Sequence, residues 1–443
     1  MRRIWLALSV VATGLAVIFI VSVFARPVLP GLNLRPKPPN LPTNPSERKA
    51  KKAQAELQSA LATTKYITPG KRRWRVPLVP PPPSVPAPVV PTTRPLSVGF
   101  FINWDESSYE SLKRNLDHLD WVVAEWSHLQ DGPNPLATDV HIPALNWIRV
   151  TRPEVRVLPM VQNLVDEQWQ GDLLARSIAD EPHRQKLINA LTTFVQDNKF
   201  AGICVDFEEP PTAAQGNLLT FMQELHTTFA AKGLLVSQAV PFDDPDWNYK
   251  AYAAASDYMI LMAYDQHWAG SDAGPVAAQD WFEQKLISRM RDLDAAKTII
   301  ALGNYGYNWS DATKSADEVT FQEALISARD SSTAPTFDTA ARNPYFEYDE
   351  EDQSHHKVWF LDAVTAYNEM RAASGYKPAG YGIWRLGSED PSVWSILGTQ
   401  NSSPEVLRSI NYGYDVDFEG NGELLKVMSR PQKGARDLEV DSA

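Results

Sequence analysis

The sequence predicts a (β/α)8 barrel that follows an amino-terminal transmembrane helix and a proline-rich linker. Three observations support this prediction. Eight nearly continuous apolar, strand-like segments recur between residues 96 and 386, and helical patterns separate several of them. Residues 4–25 form a run of 22 residues without a charge. Residues 27–95 hold 17 of the 34 prolines.

The first 26 residues (1–26) predict a single-pass anchor in the inner membrane. Arg2 and Arg3 precede an uncharged run that is long enough to span a bilayer and longer than the core of most cleaved signal peptides. The positive flank places the amino terminus in the cytoplasm and the barrel in the periplasm or the exterior. The alternative is a signal peptide cleaved after Ala25, which would also export the barrel.

Residues 27–95 are predicted to form an extended, semi-rigid linker, because so proline-rich a segment cannot build a packed core. Residues 47–61 interrupt it with a helix-prone stretch of Ala, Lys and Gln. The barrel is expected over residues 96–400. Residues 401–443 are polar and predict a short β-type extension, or a connector that is truncated in this chain.

The predicted strands are apolar on both faces, which is typical of parallel strands covered by helices. They are residues 96–104, 119–126, 155–163, 201–208, 234–241, 257–264, 297–305 and 380–385. Residues 184–197 and 218–231 show helical patterns between them. Eight such units fit a (β/α)8 barrel. An open doubly wound sheet is the alternative, but no glycine-rich phosphate turn follows the first strand.

The composition restricts the classes of function. The chain has 443 residues, 44% of them apolar, and a formal net charge of −12, which argues against nucleic-acid binding. Cys204 is the only cysteine, so no internal disulfide can form. Without a Cys/His cluster we expect no metal site and no cofactor. His355 and His356 lie in an acidic stretch that predicts a solvated loop.

The fourth predicted strand ends in two acids. Asp206 and Glu208 are separated by one residue, so they share one face of the strand. Crowding of two carboxylates raises the pKa of one of them and places a proton donor beside an anion. This pair suits cleavage of a bond to oxygen, most commonly a glycosidic bond. The alternative is a strand that runs into an acidic loop at Glu209 and Pro210.

Polar and aromatic residues also follow the other strands, and in a barrel all parallel strands end at one mouth. They include Asn103, Trp104, Asp105, Glu125, Trp126, Gln162, Asn163, Tyr264, Asp265, Gln266, His267, Asn304, Tyr305, Trp384 and Arg385. Acids, amides and aromatic rings at one mouth are typical of a carbohydrate cleft. For most single Trp and Tyr residues the alternative is core packing.

Three motifs in this order resemble glycoside hydrolase family 18, the chitinase-like barrels. The family's fourth strand ends in Asp-Gly-x-Asp-x-Asp-x-Glu, and residues 201–208 keep the Gly, the last Asp and the Glu. Residues 262–265 are similar to its Met-x-Tyr-Asp, and residues 382–384 to its final-strand Trp motif. Phe101 stands where a first-strand aromatic residue is usual. The resemblance covers roughly residues 96–400.

The resemblance implies a retaining, substrate-assisted hydrolysis of an N-acetylglucosamine-containing polysaccharide. Glu208 would protonate the leaving oxygen while the substrate's acetamido group attacks the anomeric carbon. Asp206 would orient the acetamido N–H, and Tyr264 would hydrogen-bond the acetamido oxygen. The substrate-binding residues would be Asp265, Trp384, Phe101 and Gln266.

Residues 264–268, 274–275 and 281–282 resemble a narrower bacterial subset. In that subset the barrel is the amino-terminal module of membrane-anchored proteins that continue into a polysaccharide deacetylase and a membrane glycosyltransferase. The resemblance therefore implies a functional association with modules of these two kinds.

Two acids of the family motif are replaced, by Ala201 and Cys204. The second is the inner partner toward which the catalytic Asp turns, so Asp206 is expected to ionise more readily and Cys204 to pack as a small apolar residue. These replacements favour an alternative function, a catalytically weak or silent carbohydrate-binding barrel tethered to the membrane. A purely structural tether for neighbouring modules is a third possibility.

Overall fold

The structure is a computed structural model and describes residues 94–399, 407, 414–419 and 424–429. The predicted anchor (1–26), nearly all of the linker (27–95) and most of the carboxy-terminal extension (401–443) lie outside the described residues. Among the residues that are described, no helix combines the length and apolar character that a bilayer span requires.

The described chain alternates strands and helices. The strands are β1 (Leu96–Phe101), β2 (Trp121–Leu129), β3 (Leu136–Thr138), β4 (Arg156–Gln162), β5 (Leu164–Val165), β6 (Gln168–Trp169), β7 (Gly202–Asp206), β8 (Leu235–Pro241), β9 (Tyr258–Met262), β10 (Thr298–Gly303), β11 (Gly306–Ser310), β12 (Ser315–Val319), β13 (Thr336–Phe337), β14 (Pro344–Asp349), β15 (His355–Phe360), β16 (Gly380–Trp384), β17 (Tyr414–Glu419) and β18 (Leu424–Ser429). The helices are α1 (Glu106–Asn115), α2 (Ile142–Thr151), α3 (Gly171–Ser177), α4 (Glu181–Asp197), α5 (Gln215–Ala230), α6 (Tyr249–Ala254), α7 (Gln279–Asp292), α8 (Phe321–Asp330) and α9 (Ala363–Ser374).

Eight parallel strands close into a barrel. Their order is β1-β2-β4-β7-β8-β9-β10-β16, and β16 pairs again with β1. Each predicted strand corresponds to one of these eight, with ends that differ by at most three residues. One or more helices follow each strand from β1 to β10, and the short antiparallel strand β3 pairs with β2. The predicted (β/α)8 barrel is therefore confirmed.

Alternate side chains of the barrel strands point inward and outward. The inward set fills the barrel and comprises Val98, Phe100, Trp121, Val123, Leu158, Met160, Cys204, Ala239, Ile260, Ile299 and Ala301. The outward set packs against the apolar stripes of the helices, such as Leu187, Leu191 and Val195 of α4. Polar side chains at the carboxyl ends of the strands are thus left to form the mouth.

A second sheet is inserted between β10 and α9. It has five antiparallel strands in the order β12-β11-β15-β14-β13, and α8 lies within the insertion. Helix α8 begins at a capping box between Thr320 and Glu323, in which each side chain binds the other residue's backbone N–H. The apolar face of α8 packs against β14 and β15 through Phe321, Phe346 and Phe360.

The predicted solvated loop at His355 and His356 is wrong, because both residues lie in β15. His355 stands opposite Asp349 of β14, and its Nδ1 lies 2.8 Å from the Asp349 carboxylate. His356 stacks on Tyr348 with ring centroids 4.8 Å apart. Cross-strand pairs of this kind stabilise a strand whose own sequence is polar.

Helix α9 buries acids at its start and middle. Asp362 caps the helix by accepting a hydrogen bond from Thr365 N at 2.8 Å, and Asp390 accepts one from Ala363 N at 3.0 Å. Glu369 is fully buried, and neither carboxylate oxygen has a hydrogen-bond partner. Burial, assisted by the charge of Asp362, raises the pKa of Glu369 well above its ordinary value. Burial also raises the pKa of Asp362 to about 7.

These acids predict that the fold loses stability as the pH rises. The unfolded chain ionises Glu above about pH 4.3, whereas the folded protein keeps Glu369 protonated to higher pH. The stabilising difference is complete below the unfolded pKa and is lost as the pH rises through the folded pKa. Glu369→Gln cannot ionise, so its Tm should fall less than the wild-type Tm between about pH 5 and about pH 8.

Thermal unfolding followed by circular dichroism measures this effect. Glu351→Gln makes the same substitution on an exposed turn and should follow the wild type. A Tm for Glu369→Gln that falls as steeply as that of the wild type would show that Glu369 is not a buried neutral acid.

Candidate active site

The mouth of the barrel holds a cleft with a volume of about 1080 Å³. Its walls come from the carboxyl ends of the barrel strands and from the inserted sheet. The lining residues are Phe100, Trp104, Asp105, Glu106, Glu125, Met160, Gln162, Leu164, Glu167, Trp169, Asp206, Glu208, Ala239, Met262, Tyr264, Asp265, Tyr305, Tyr307, Glu318, Thr320, Glu323, Trp384 and Arg385. Five of the seven predicted site residues therefore lie together, and Phe101 and Gln266 do not.

Strand β7 brings the acid pair to the cleft. The strand needs Gly202 near its start, because a Cβ there would lie 2.1 Å from the backbone oxygen of Leu235 on β8. Asp206 ends the strand and is buried, and Glu208 follows two residues later, half-buried at the cleft wall. Both carboxylates line the same cleft, as their spacing predicts.

Asn163 fixes the backbone that carries Glu208. Its Nδ2 donates to Glu208 O at 2.9 Å, and its Oδ1 accepts from Glu208 N at 2.9 Å. Asn163 is itself fully buried just after β4. Glu208, two residues after the end of β7, is thereby held against Asn163, the residue that follows the neighbouring strand β4.

Burial dominates the electrostatics of the pair. Loss of hydration raises the pKa of Glu208 well above its ordinary value, and the charges of Asp206 and Asp265 raise it further. Burial raises the pKa of Asp206 to about 6, against a hydrogen bond from Gln162 Nε2 to Asp206 Oδ2 at 2.9 Å. The expectation that the loss of the inner acid makes Asp206 ionise more readily stays a prediction.

Asp206 has one oxygen that the protein does not use. Its Oδ2 accepts the Gln162 hydrogen bond, whereas Oδ1 is buried and has no hydrogen-bond partner. A buried carboxylate oxygen without a donor carries a desolvation cost. This arrangement is suited to a ligand that brings an N–H or O–H group to Oδ1.

Two aromatic rings form the base of the cleft. Tyr264, just after β9, stacks on Trp384 at the end of β16, with centroids 6.4 Å apart and an angle of 22° between the planes. Trp384 also meets Phe100 edge-on at 5.5 Å. Burial and the charges of Asp206, Asp265 and Glu208 raise the pKa of Tyr264, so its hydroxyl stays protonated and can donate.

Asp265 lines the cleft and has a left-handed backbone conformation, with φ of 61°. Its Oδ1 accepts hydrogen bonds from the hydroxyls of Tyr305 and, at 3.0 Å, Tyr307. The walls of the cleft limit the hydration of the carboxylate and raise its pKa to about 6. Asp is among the few residue types that adopt positive φ, and here the turn directs its carboxylate toward both tyrosines.

The predicted contact of Phe101 with the cleft is wrong by one residue. Phe101 is 1% exposed and packs outside the barrel against Trp126 and His141. Phe100 is the first-strand aromatic residue that lines the cleft. Side chains of a strand alternate between its two faces, so a motif placed one residue out of register points to the helices instead of the barrel.

Gln266 is also placed outside the cleft. Its Oε1 accepts a hydrogen bond from Ala278 N at 2.8 Å, and its own backbone N donates to Val276 O at 2.9 Å. Ala278 directly precedes α7, whose first N–H groups lack intrahelical partners. Gln266 therefore anchors the start of a helix.

The two residues that replace acids of the family motif, Ala201 and Cys204, carry no charge. Cys204 is fully buried in the barrel interior, and burial raises the pKa of its thiol to about 12, so it is neutral. Ala201 lies at the opposite end of β7 from Asp206. The predicted packing role of Cys204 is confirmed.

Arg385 organises one wall of the cleft. It is buried and forms ion pairs with Asp105 at 2.7 Å and with Glu318 of the inserted sheet at 3.3 Å. Its guanidinium also lies 4.2 Å from the centre of the Trp104 ring. The sequence offered no signal for Glu318 or Tyr307, because both come from an insertion. In the described part of the chain, no group of His, Cys, Asp or Glu side chains is arranged to hold a metal ion.

The family model described as Glycosyl hydrolases family 18 matches residues 97–389, which include all of the barrel except Leu96, the first residue of β1. The chain belongs to glycosyl hydrolase family 18. The resemblance inferred from the three motifs is therefore confirmed at the level of the family, and the protein is a glycosidase.

Known relatives cover much of this family 18 chain. "Uncharacterized glycosylase YvbX" of Bacillus subtilis is 22% identical over 68% of the chain and 90% of its own length. The B. subtilis "Cortical fragment-lytic enzyme" is 24% identical over 58% of the chain, which spans 63% of that relative.

Solved structures share the fold. A chitinase from Chromobacterium violaceum has a TM-score of 0.62, with 23% identity over 68% of this chain and 97% of that one. A Cycas revoluta chitinase variant in complex with (GlcNAc)4 has a TM-score of 0.58, with 17% identity over 68% and 98%.

The position of Gln266 predicts a role in stability. Gln266→Ala removes the acceptor for Ala278 N and should lower the free energy of unfolding by about 1 kcal/mol, the usual contribution of one intramolecular hydrogen bond. Urea denaturation measures the change, with Gln223→Ala on the exposed face of α5 as the matched control. Unchanged stability together with weakened sugar binding would instead identify Gln266 as a substrate ligand.

Proposed function

We propose that this family 18 enzyme hydrolyses an N-acetylglucosamine-containing polysaccharide with retention, using the substrate's acetamido group as the nucleophile. The observation that carries the proposal is that Asp206 Oδ1, buried at the cleft beside Glu208, has no hydrogen-bond partner among the described residues. An acetamido N–H is the donor that this oxygen lacks. Family 18 enzymes are an exception to the scheme of two protein carboxylates, one of them a nucleophile.

In the first step, Glu208 donates its proton to the glycosidic oxygen as the C–O bond breaks. Burial and the neighbouring carboxylates raise the pKa of Glu208 and so favour the protonated form that can donate. The acetamido carbonyl oxygen attacks the anomeric carbon and closes a five-membered ring that carries a positive charge. Asp206, ionised above a pKa of about 6, accepts the N–H and stabilises this cation.

In the second step, water attacks the anomeric carbon from the face that the leaving group vacated. Glu208 now accepts a proton from this water, and the ring opens to restore the acetamido group. Two displacements at one carbon give net retention of configuration. The Tyr264 hydroxyl would hold the acetamido oxygen, and Trp384 would support the sugar face.

The comparisons support this substrate class. A similar chitinase holds (GlcNAc)4, and other relatives are named chitinases or cortical fragment-lytic enzymes. A second candidate function is a weak or silent sugar-binding barrel, and the neutral Cys204 beneath Asp206 favours it. The presence of Glu208, Asp206 and Tyr264 together in one cleft favours the hydrolase.

Glu208→Gln should abolish hydrolysis and preserve sugar binding. An amide of the same shape cannot donate the proton, and general acid catalysis contributes about 10²- to 10⁴-fold. Release of a chromophore from an N-acetylglucosamine oligomer measures kcat, and calorimetry with the unmodified oligomer measures Kd. Glu110→Gln on the exposed face of α1 should behave as wild type. Binding without hydrolysis by the wild type would establish the silent barrel instead.

We further propose that residues 1–26 anchor the enzyme in the inner membrane and that residues 27–95 hold the barrel away from it on the periplasmic or outer side. Arg2 and Arg3 before the uncharged run support this orientation. A proline-rich linker extends by about 3.1 Å per residue, so the barrel could meet a polymer as it leaves the membrane. Polysaccharide deacetylase and glycosyltransferase modules would be its functional partners.

A reporter that is active only outside the cytoplasm, fused after residue 95, should be active in cells. The same fusion with Arg2 and Arg3 both changed to Glu weakens the positive flank and should lose part of that activity. A silent wild-type fusion, or recovery of the full-length protein in the cytosol, would contradict this topology.

A further inference from the structure

A chain of hydrogen bonds leads from the rim of the cleft to the acid that orients the substrate. Trp104 Nε1 donates to Glu125 Oε2 at 3.1 Å. Gln162 Nε2 donates to Glu125 Oε1 at 3.3 Å and to Asp206 Oδ2 at 2.9 Å. Glu125, Gln162 and Asp206 are all more than nine-tenths buried, so these contacts form within the protein.

The sheet geometry explains why these residues meet. Gln162 of β4 stands directly opposite Asp206 of β7 in the parallel register. Between Glu125 and Ser127 the pairing of β2 with β4 shifts by one residue, because Trp126 is bulged. Glu125 lies on the same inward face as Trp121 and Val123 by the ordinary alternation of the strand and lines the cleft, whereas Trp126 packs outside the barrel.

The chemistry of the amide sets its orientation. Gln162 has two N–H hydrogens on Nε2, and Glu125 and Asp206 are both acceptors at that end. If the amide turned over, its carbonyl oxygen would face two carboxyl groups. Glu125 therefore fixes the NH2 group on Asp206, and the opposite atom, Oε1 of Gln162, has no hydrogen-bond partner.

We propose that Glu125 and Gln162 are a positioning pair for the hydrolytic reaction, in which Glu125 orients the Gln162 amide so that it holds Asp206 through Oδ2 and leaves Oδ1 for the substrate. In the family motif, an inner acid on β7 is the partner of the catalytic Asp, and this chain has Cys204 at that position. Here Glu125 of β2 and Gln162 of β4 would hold Asp206 instead. This inference rests on the proposed function and names two further residues that it requires.

In this arrangement Glu125 acts by accepting hydrogen bonds from Trp104 and Gln162, and not through a negative charge. Burial raises its pKa to about 7, and the charge of Asp206 contributes to the rise. Burial also raises the pKa of Asp206, to about 6. Burial raises the pKa of the Cys204 thiol and of the Tyr264 hydroxyl, so both stay protonated at neutral pH. Glu208 and Arg385 also face this chain of hydrogen bonds.

Three variants of the full-length protein test the pair. Glu125→Gln keeps a carbonyl acceptor for Gln162, and Trp104, which is 65% exposed, can donate to water instead. It should retain kcat within about threefold. Glu125→Leu removes the acceptor, and Gln162→Leu removes the donor to Asp206. Both should lower kcat by about tenfold or more, the effect of one lost hydrogen bond in the transition state.

The pH profile separates positioning from structural support. Without the Gln162 donor the pKa of Asp206 rises, so the acid limb of kcat/KM should move to higher pH in Gln162→Leu and, to a smaller extent, in Glu125→Leu. KM should change little. Glu351→Leu and Gln223→Leu make the same chemical changes at exposed positions and should leave the profile unchanged. The substrate is the chromogenic N-acetylglucosamine oligomer.

The outcomes are distinguishable. A Glu125→Gln variant whose kcat falls by about tenfold or more relative to the wild type would overturn the proposal and assign Glu125 a charge or a nucleophilic role. This arm does not depend on whether the Leu variants fold, because Gln has the shape of Glu. An unmoved acid limb, or one that moves to lower pH, would also overturn it. An inactive wild type would refute the proposed function together with this inference, whereas an active one isolates the inference.

Discussion

The site depends on one buried carboxylate, that of Asp206 at the base of the cleft. Only one of its two oxygens accepts a hydrogen bond from the described residues. Asp206 is 3% exposed, and burying an ionisable group costs free energy unless donors compensate it. Strand β4 provides one donor through Gln162, which stands opposite Asp206 in the register. The second oxygen has no hydrogen-bond partner among the described residues, and burial also raises the pKa of the neighbouring Glu208.

Much of this arrangement could be predicted from the sequence, because it follows from local periodicity. Parallel barrel strands are covered on both faces, so each appears as an apolar run whose polar end marks the mouth. The single residue between Asp206 and Glu208 sufficed to predict a shared cleft. Cys204 could be assigned to the interior for the same reason, since it alternates with Val205 along β7.

What the sequence could not predict depends on tertiary contacts. The face on which Phe100 and Phe101 lie is set by a one-residue register, and both residues are equally apolar. The structural role of Gln266 depends on its hydrogen bond from Ala278 N, twelve residues away. The hydrogen bonds of Glu125 depend on Trp104 and Gln162, which come from other parts of the chain. Tyr307 reaches the cleft from an inserted sheet whose strands are stabilised by cross-strand partners.

We propose that the substrate's acetamido group is the nucleophile and that Asp206 Oδ1 accepts a hydrogen bond from its N–H. The most direct measurement compares cleavage of an N-acetylglucosamine oligomer by the full-length protein with cleavage of the fully deacetylated oligomer of equal length, both followed by mass spectrometry. We expect that only the acetylated oligomer is cleaved and that the deacetylated one is at most bound. Comparable cleavage of the two would contradict it, because the reaction would then need a nucleophile from the protein, such as Glu125 or Asp265.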